Sequence, residues 1–170
     1  MNDLKDSCAP VGVFDSGVGG LSVLKALLQV LPGERFTFVA DERHLPYGDK
    51  PQAEISLRVM VLSQWLHSQG CKALVIACNT ATAAAAGAAR AEFPEWPIVG
   101  IEPAVKPASM MTQTGVVGIL ATNNTVASER FKALVERFDP LADVVARPCP
   151  GLVELIETVP MPTEAIRELL

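Results

Sequence analysis

A chain of 170 residues is long enough for one domain with a real core, or for one domain and part of another. Its composition, 49% hydrophobic against 19% charged with a mean hydropathy of +0.30, excludes a chain that stays disordered. The net charge of −5 comes from 14 basic and 19 acidic residues with no Lys/Arg stripe, which argues against nucleic acid or a membrane surface as partner.

In chain order, Val11–Phe14 is a short apolar run and is expected to be a buried strand. Leu21, Leu24, Leu28 and Leu31 then recur at helical spacing until Pro32-Gly33 ends the pattern. Phe36–Ala40, rich in aromatic and β-branched residues, reads as a second strand, and Asp41–Pro51 as a loop broken by Pro46 and Gly48. Ile55, Val59, Leu62 and Leu66 predict a helix over 52–69, capped by Gly70. Ala73–Ala77 is a third strand, and Thr80–Phe93 an alanine-rich helix closed before Pro94. Ile98–Ile101 and Val116–Ala121 read as strands, Ser128–Phe138 as a helix, Asp143–Ala146 as a weak strand, and Gly151–Glu157 and Thr163–Leu170 as helical. Apolar strands alternating with helices predict an α/β fold, a parallel sheet with helices on both faces.

No apolar run approaches the ~18 residues of a membrane span. The opening "MNDLKDSCAP" lacks the apolar stretch of a secretory signal, so a cytoplasmic protein with free thiols is expected. The cysteines, at 8, 71, 78 and 149, form no CxxC pair and are accompanied by only two histidines, His44 and His67, which argues against a metal site.

Ligands of parallel α/β sheets bind beyond the carboxyl ends of the strands. Here those ends carry "DSGVGG" (15–20), "DERHLPYG" (41–48), "CNT" (78–80) and "TNNT" (122–125). Each taken singly fits an ordinary helix N-cap. Together they suit a small polar ligand with a carboxylate or an amine, the former favoured by helix N-termini. Two phosphate-loop readings fail at a defining residue: Ser22 stands where a dinucleotide fingerprint needs its third glycine, and Val18 where a P-loop needs lysine.

Cys78 ends a buried strand and begins a helix, where the helix dipole and free N–H groups favour thiolate. The plainer reading is a buried structural cysteine, which suits Cys71 well; Cys149 is open to either. Without a histidine base near Cys78 in the sequence, proton transfer fits better than acyl transfer.

"VFDSGVGGLSVLKAL" (13–27), "ADERHLPYGDK" (40–50) and "ALVIACNTATA" (73–83), with "PIVGIEPAVKPA" (97–108), "VGILATNNTVAS" (117–128) and "CPGLVELIE" (149–157), resemble the glutamate racemases, in that family's order and over most of the chain. The resemblance implies cofactor-independent interconversion of L- and D-glutamate by two thiols on opposite faces of the substrate, supplying D-glutamate for peptidoglycan. It implies that Cys78 is one of the thiols. Asp15, Ser16, Tyr47, Gly48, Asn79, Thr80, Thr122 and Thr125 are expected to line the substrate pocket, with Glu157 in support and no metal. It also implies two facing α/β domains, here 1–97 and 98–170 with the second incomplete, and a homodimer.

There are departures. The family's second cysteine lies in a "GCTHYP"-like stretch that this sequence does not contain; Cys149 is followed by proline. Phe131 replaces the usual tyrosine, and Glu154 stands where proline is common. The helical pattern "TEAIRELL" reaches the last residue without a cap, so further chain is expected beyond it; the alternative is a helix that ends in solvent. The 170 residues alone are expected to be inactive. Alternative functions are an aspartate or hydantoin racemase, or a binding module that kept the pocket and lost the chemistry.

Overall fold

The computed structural model describes residues 8–138 and 140–170; residues 1–7, where most of the stretch read for a leader falls, lie outside it. The elements are β1 (Val11–Asp15), α1 (Leu21–Val30), β2 (Phe36–Ala40), a 3-10 turn (Glu42–His44), α2 (Gln52–Ser68), β3 (Ala73–Ile76), α3 (Asn79–Glu92), β4 (Ile98–Gly100), α4 (Val105–Met111), β5 (Val116–Ala121), α5 (Asn123–Ala127), α6 (Glu129–Phe138), β6 (Asp143–Pro148), α7 (Leu152–Glu157) and α8 (Thr163–Leu169). None of the described helices is long and apolar enough to cross a membrane.

Four strands form a parallel sheet in the order β2-β1-β3-β4, and β5 and β6 form a separate parallel pair. The first sheet is covered on both faces, as its apolar strands require. On one side Val11, Val13, Val75 and Ala77 pack under Val23, Leu24 and Leu27 of α1. On the other, Phe14, Leu74 and Ile76 meet Ile55, Val59 and Leu66 of α2 and the alanines of α3. The alanine run has a packing reason: Ala81, Ala85, Ala86 and Ala89 are buried, and side chains this small let two helices lie close. Gly12 serves the same layer, since a Cβ there would lie 3.3 Å from Leu66. Gly70 ends α2 as expected. Its φ of +75° is a left-handed conformation, and the amides of Gly70 and Cys71 return to the carbonyls of His67 and Leu66.

Two helices were not anticipated. α4 contains Pro107 in its first turn, where the missing N–H would have had no partner in any case. α5 is a five-residue turn whose N-cap is Thr122. The weak strand expected at Asp143–Ala146 runs on to Pro148. β4 pairs with β3, so the first sheet extends to Gly100, beyond residue 97.

Candidate active site

Connectivity leaves β1 by β2 on one side and returns to β3 on the other, so the order of strands reverses between β1 and β3. Open α/β sheets bind ligands outside the carboxyl ends of strands at such a reversal. Phe14 and Ile76 are in register there, so Asp15 and Cys78 emerge beside one another. A cleft of about 620 Å³ opens at this point, and its other wall comes from β5, the turn after it, Cys149 and α7. All ten residues named from the sequence line it: Asp15, Ser16, Tyr47, Gly48, Cys78, Asn79, Thr80, Thr122, Thr125 and Glu157. Cys149 lines it as well, whereas the buried Cys71 does not.

Cys78 is the N-cap of α3, and its sulfur accepts the Ala81 N–H at 3.4 Å. The Ser16 hydroxyl lies 3.6 Å from the same sulfur. The helix terminus thus acts in the anticipated direction, but the expected thiolate is not the resting state. Burial, and then the negative charge of Asp15, push the Cys78 thiol up to about 11. The thiol and the Asp15 carboxylate act on each other, the charge raising the thiol and the thiol steadying the carboxylate. Burial in turn raises Asp15 above its ordinary value, against the hydrogen bonds it accepts from Gly20, Ser16, Cys78 and Gly17. The Gly20 N–H reaches Asp15 Oδ2 at 2.7 Å. A Cβ on Gly20 would stand 2.6 Å from that of Asp15 and 3.2 Å from that of Ala77. This glycine therefore admits a backbone amide to a carboxylate, and needs no phosphate to account for it.

Three threonines from the two sheet units meet at the opposite side. Thr80 Oγ1 is 2.9 Å from Thr122 Oγ1 and 3.2 Å from Thr125 Oγ1, and the last two are 3.0 Å apart. Thr80 begins α3, while Thr122 and Thr125 sit on the turn after β5. The buried Oδ1 of Asn79 has no hydrogen-bond partner among the described residues. Glu157 packs its carboxylate against Gly17, where a Cβ would overlap both carboxylate oxygens and lie 2.8 Å from Cδ.

Tyr47 borders the cleft, but its hydroxyl is committed elsewhere, donating to Asp41 Oδ2 at 2.6 Å. Arg58 donates to both oxygens of Asp41 at 2.9 Å, and His44 Nδ1 lies 3.0 Å from Oδ1. Burial alone would raise Asp41, yet Arg58, Tyr47 and His44 together hold it below its ordinary value. Burial and the neighbouring Asp41 charge push the Tyr47 phenol up, so it stays a neutral donor. Neither Asp41 nor Arg58 was singled out from the sequence. The "DERH" stretch read as a polar strand end, and nothing local announces the pairing of Asp41 with Arg58, 17 residues on.

The parallel α/β sheet thus presents a buried thiol and a carboxylate at its strand-order reversal, facing a second wall of hydroxyls. The chain belongs to the Asp/Glu/Hydantoin racemase family, which it matches over residues 11–170. It is 56% identical over 162 residues to the glutamate racemase of Pseudomonas syringae pv. tomato, covering 95% of this chain and 59% of that protein. It is 54% identical over 167 residues to the glutamate racemase of Ectopseudomonas mendocina, covering 98% and 64%. The fold superposes on the crystal structure of Escherichia coli glutamate racemase in complex with L-glutamate and the activator UDP-MurNAc-ala, with a TM-score of 0.87 and 34% identity, covering 95% of this chain and 63% of that one. The chain spans about three fifths of the length of the curated relatives it matches.

Proposed function

We propose that the protein carrying this chain is a glutamate racemase: a cytoplasmic, cofactor-independent enzyme that interconverts L- and D-glutamate and supplies D-glutamate for peptidoglycan. The observation that carries the reading is the pairing of Cys78 with Asp15. A thiol pushed up to about 11 is a poor base while protonated. A carboxylate whose own affinity for protons is raised by burial is a suitable acceptor for the thiol proton. In the proposed sequence Asp15 takes the proton from Cys78 Sγ. The thiolate then breaks the Cα–H bond of glutamate and keeps that proton, and the electron pair is left on Cα, conjugated with the α-carboxylate. A second thiol on the opposite face returns a proton and inverts the centre. In this reading that thiol belongs to the "GCTHYP"-like stretch of the family, so the 170 residues alone do not racemise.

The remaining lining residues have roles consistent with an amino-acid ligand. The unpartnered Asn79 Oδ1 accepts from the substrate ammonium, and a buried acceptor without a donor is costly until it is met. The Thr80, Thr122 and Thr125 hydroxyls turn outward from one another to donate to the α-carboxylate. Ser16 steadies the sulfur, Tyr47 and Gly48 shape the wall, and Glu157 fixes the Gly17 loop. In this reading residues 1–97 form the first unit and 98–170 part of the second, with β4 completing the first sheet.

The test is α-proton exchange of glutamate in D₂O with the full-length protein. Wild type is expected to exchange glutamate in preference to aspartate, and Cys78→Ser to lose about 10²–10⁴-fold. Exchange that survives Cys78→Ser overturns the assignment.

A further inference from the structure

The two sheet units meet at a clasp that the proposed chemistry does not use. Asn124, on the first turn of α5, donates through Nδ2 to the carbonyls of Tyr47 at 3.0 Å and Lys50 at 2.9 Å. Its backbone N–H donates to the carbonyl of Gly48 at 3.1 Å. Three carbonyls of one four-residue loop therefore converge on one side chain and its amide. Beside it, Asn123 Nδ2 reaches Asp49 Oδ1 at 2.6 Å. The contact is close as well as polar: a Cβ on Gly48 would lie 3.0 Å from Cβ and Cγ2 of Thr122. On its far side the loop is anchored by Tyr47, whose hydroxyl is held by Asp41 and, through it, by Arg58 of α2.

We propose that Asn124 is a positioning residue: it pins the Tyr47–Lys50 loop to the turn after β5, and so sets where Thr122 and Thr125 stand relative to Thr80 and Cys78. The chemistry selects asparagine. Two carbonyls need two N–H donors from one short side chain; serine offers one, aspartate none, and glutamine places them a methylene farther out. With both acceptors being carbonyls, only one orientation of the amide satisfies the network. The consequence is mechanical. Thr122 and Thr125 lie on the same turn as Asn124, so the hydroxyl triangle with Thr80 and the width of the cleft above Cys78 are held by this contact. Its bearing on substrate rests on the glutamate reading above, while the clasp itself does not.

The sign of one substitution separates the clasp from a local helix effect. Asn124 occupies the first turn of α5, where an acidic side chain is favoured by the helix terminus. A purely local role therefore predicts that Asn124→Asp is neutral or stabilising. The clasp predicts the opposite, because both donors are lost and a carboxylate is set against two carbonyls. Hydrogen exchange of the full-length protein, read on peptides spanning 45–52, is expected to quicken about tenfold in Asn124→Asp with β1 unchanged. Iodoacetamide labelling of Cys78 rises with it. Asn124→Ser, which keeps one donor, gives an intermediate rise and serves if the aspartate variant is too unstable to isolate. Unchanged or slower exchange at 45–52, or a rise shared equally by β1, overturns the proposal. Protection of Cys78 from iodoacetamide by glutamate in the unsubstituted full-length protein is measured alongside. Its absence counts against the glutamate reading and leaves the clasp to the exchange result.

Discussion

The two walls of the cleft differ in how much of their cover lies within these 170 residues. Behind Asp15 and Cys78 stands a four-stranded sheet with helices on both faces, where Phe14, Ile55, Leu66, Leu74 and Ile76 are fully buried. Behind Thr122 and Thr125 stands a parallel pair, β5 and β6, with Val117 and Phe131 buried while Val116, Leu120 and Val145 remain about half exposed. Parallel strands are ordinarily covered on both faces, and two strands alone are marginal. The groups whose protonation matters are thus on the wall where burial can shift it. The groups that act through hydrogen bonds alone are on the other wall, and are held in place by the loop at Tyr47–Lys50. Burial and charge tune the first wall; directional hydrogen bonds align the second.

The largest test of that contrast is a matched pair. Leu74→Ala removes a fully buried side chain from β3 and is expected to cost about 2–5 kcal/mol in urea unfolding. Leu120→Ala makes the same change on β5, at a side chain 53% exposed, and is expected to fall within about 0.5 kcal/mol of wild type. Equal losses would show that the two walls are packed alike.

A smaller effect comes from two strand glycines. An alanine Cβ at Gly100 would lie 2.5 Å from Thr82 Cγ2 and 2.9 Å from its Oγ1, whereas one at Gly118 meets nothing among the described residues within 4 Å. Gly100→Ala is expected to lower stability by about 1–3 kcal/mol. Gly118→Ala is expected to raise it by about 0.4–1 kcal/mol, through the entropy of the unfolded chain. Thermal unfolding of the two variants side by side decides the matter, and a stabilised Gly100→Ala would refute the close approach of α3 to β4.

The smallest effect in energy is the most direct on chemistry. The pH dependence of Cys78 alkylation, followed by mass mapping so that Cys8, Cys71 and Cys149 are read apart, is expected to climb to a midpoint near 11. Because the folded value lies above the ~8.5 of an unfolded cysteine, the thiol's contribution to stability is complete below that pH and is lost as pH rises toward the folded value. Asp15→Asn removes the second cause of the shift, so labelling at pH 8 is expected to rise several-fold. A fall instead would mean that Asp15 assists the thiolate rather than opposing it in the resting state.

Much of this molecule could be read along the chain. The strands at Val11, Phe36, Ala73 and Val116 announce themselves by apolar runs, and the helix ending at Gly70 by its spacing and its glycine, because these signals are local in sequence. Nine of the ten site residues named from the sequence, all but Glu157, sit in polar stretches at or directly beyond the end of a strand. They are legible because a parallel sheet gathers its carboxyl ends at one edge. The misses share a cause. α4 hid behind prolines whose cost vanishes in a first turn. The protonation of Cys78 was expected from its helix terminus alone, and was reversed by burial and by Asp15, which is distant in sequence and adjacent in space. The pairing of Asp41 with Arg58, and that of Asn124 with a loop 74 to 77 residues earlier, leave no periodicity to detect.

By itself, then, the sequence determined which elements form, which polar residues cluster at their ends, and which family they resemble, since propensity, periodicity and turn chemistry act over a few residues. Only the tertiary structure decided that β1 and β3 lie side by side at the reversal of strand order, that the thiol rests protonated against a carboxylate, and that one asparagine holds the two walls in register. Those outcomes depend on desolvation and on hydrogen bonds between distant segments, and neither exists until the chain has folded.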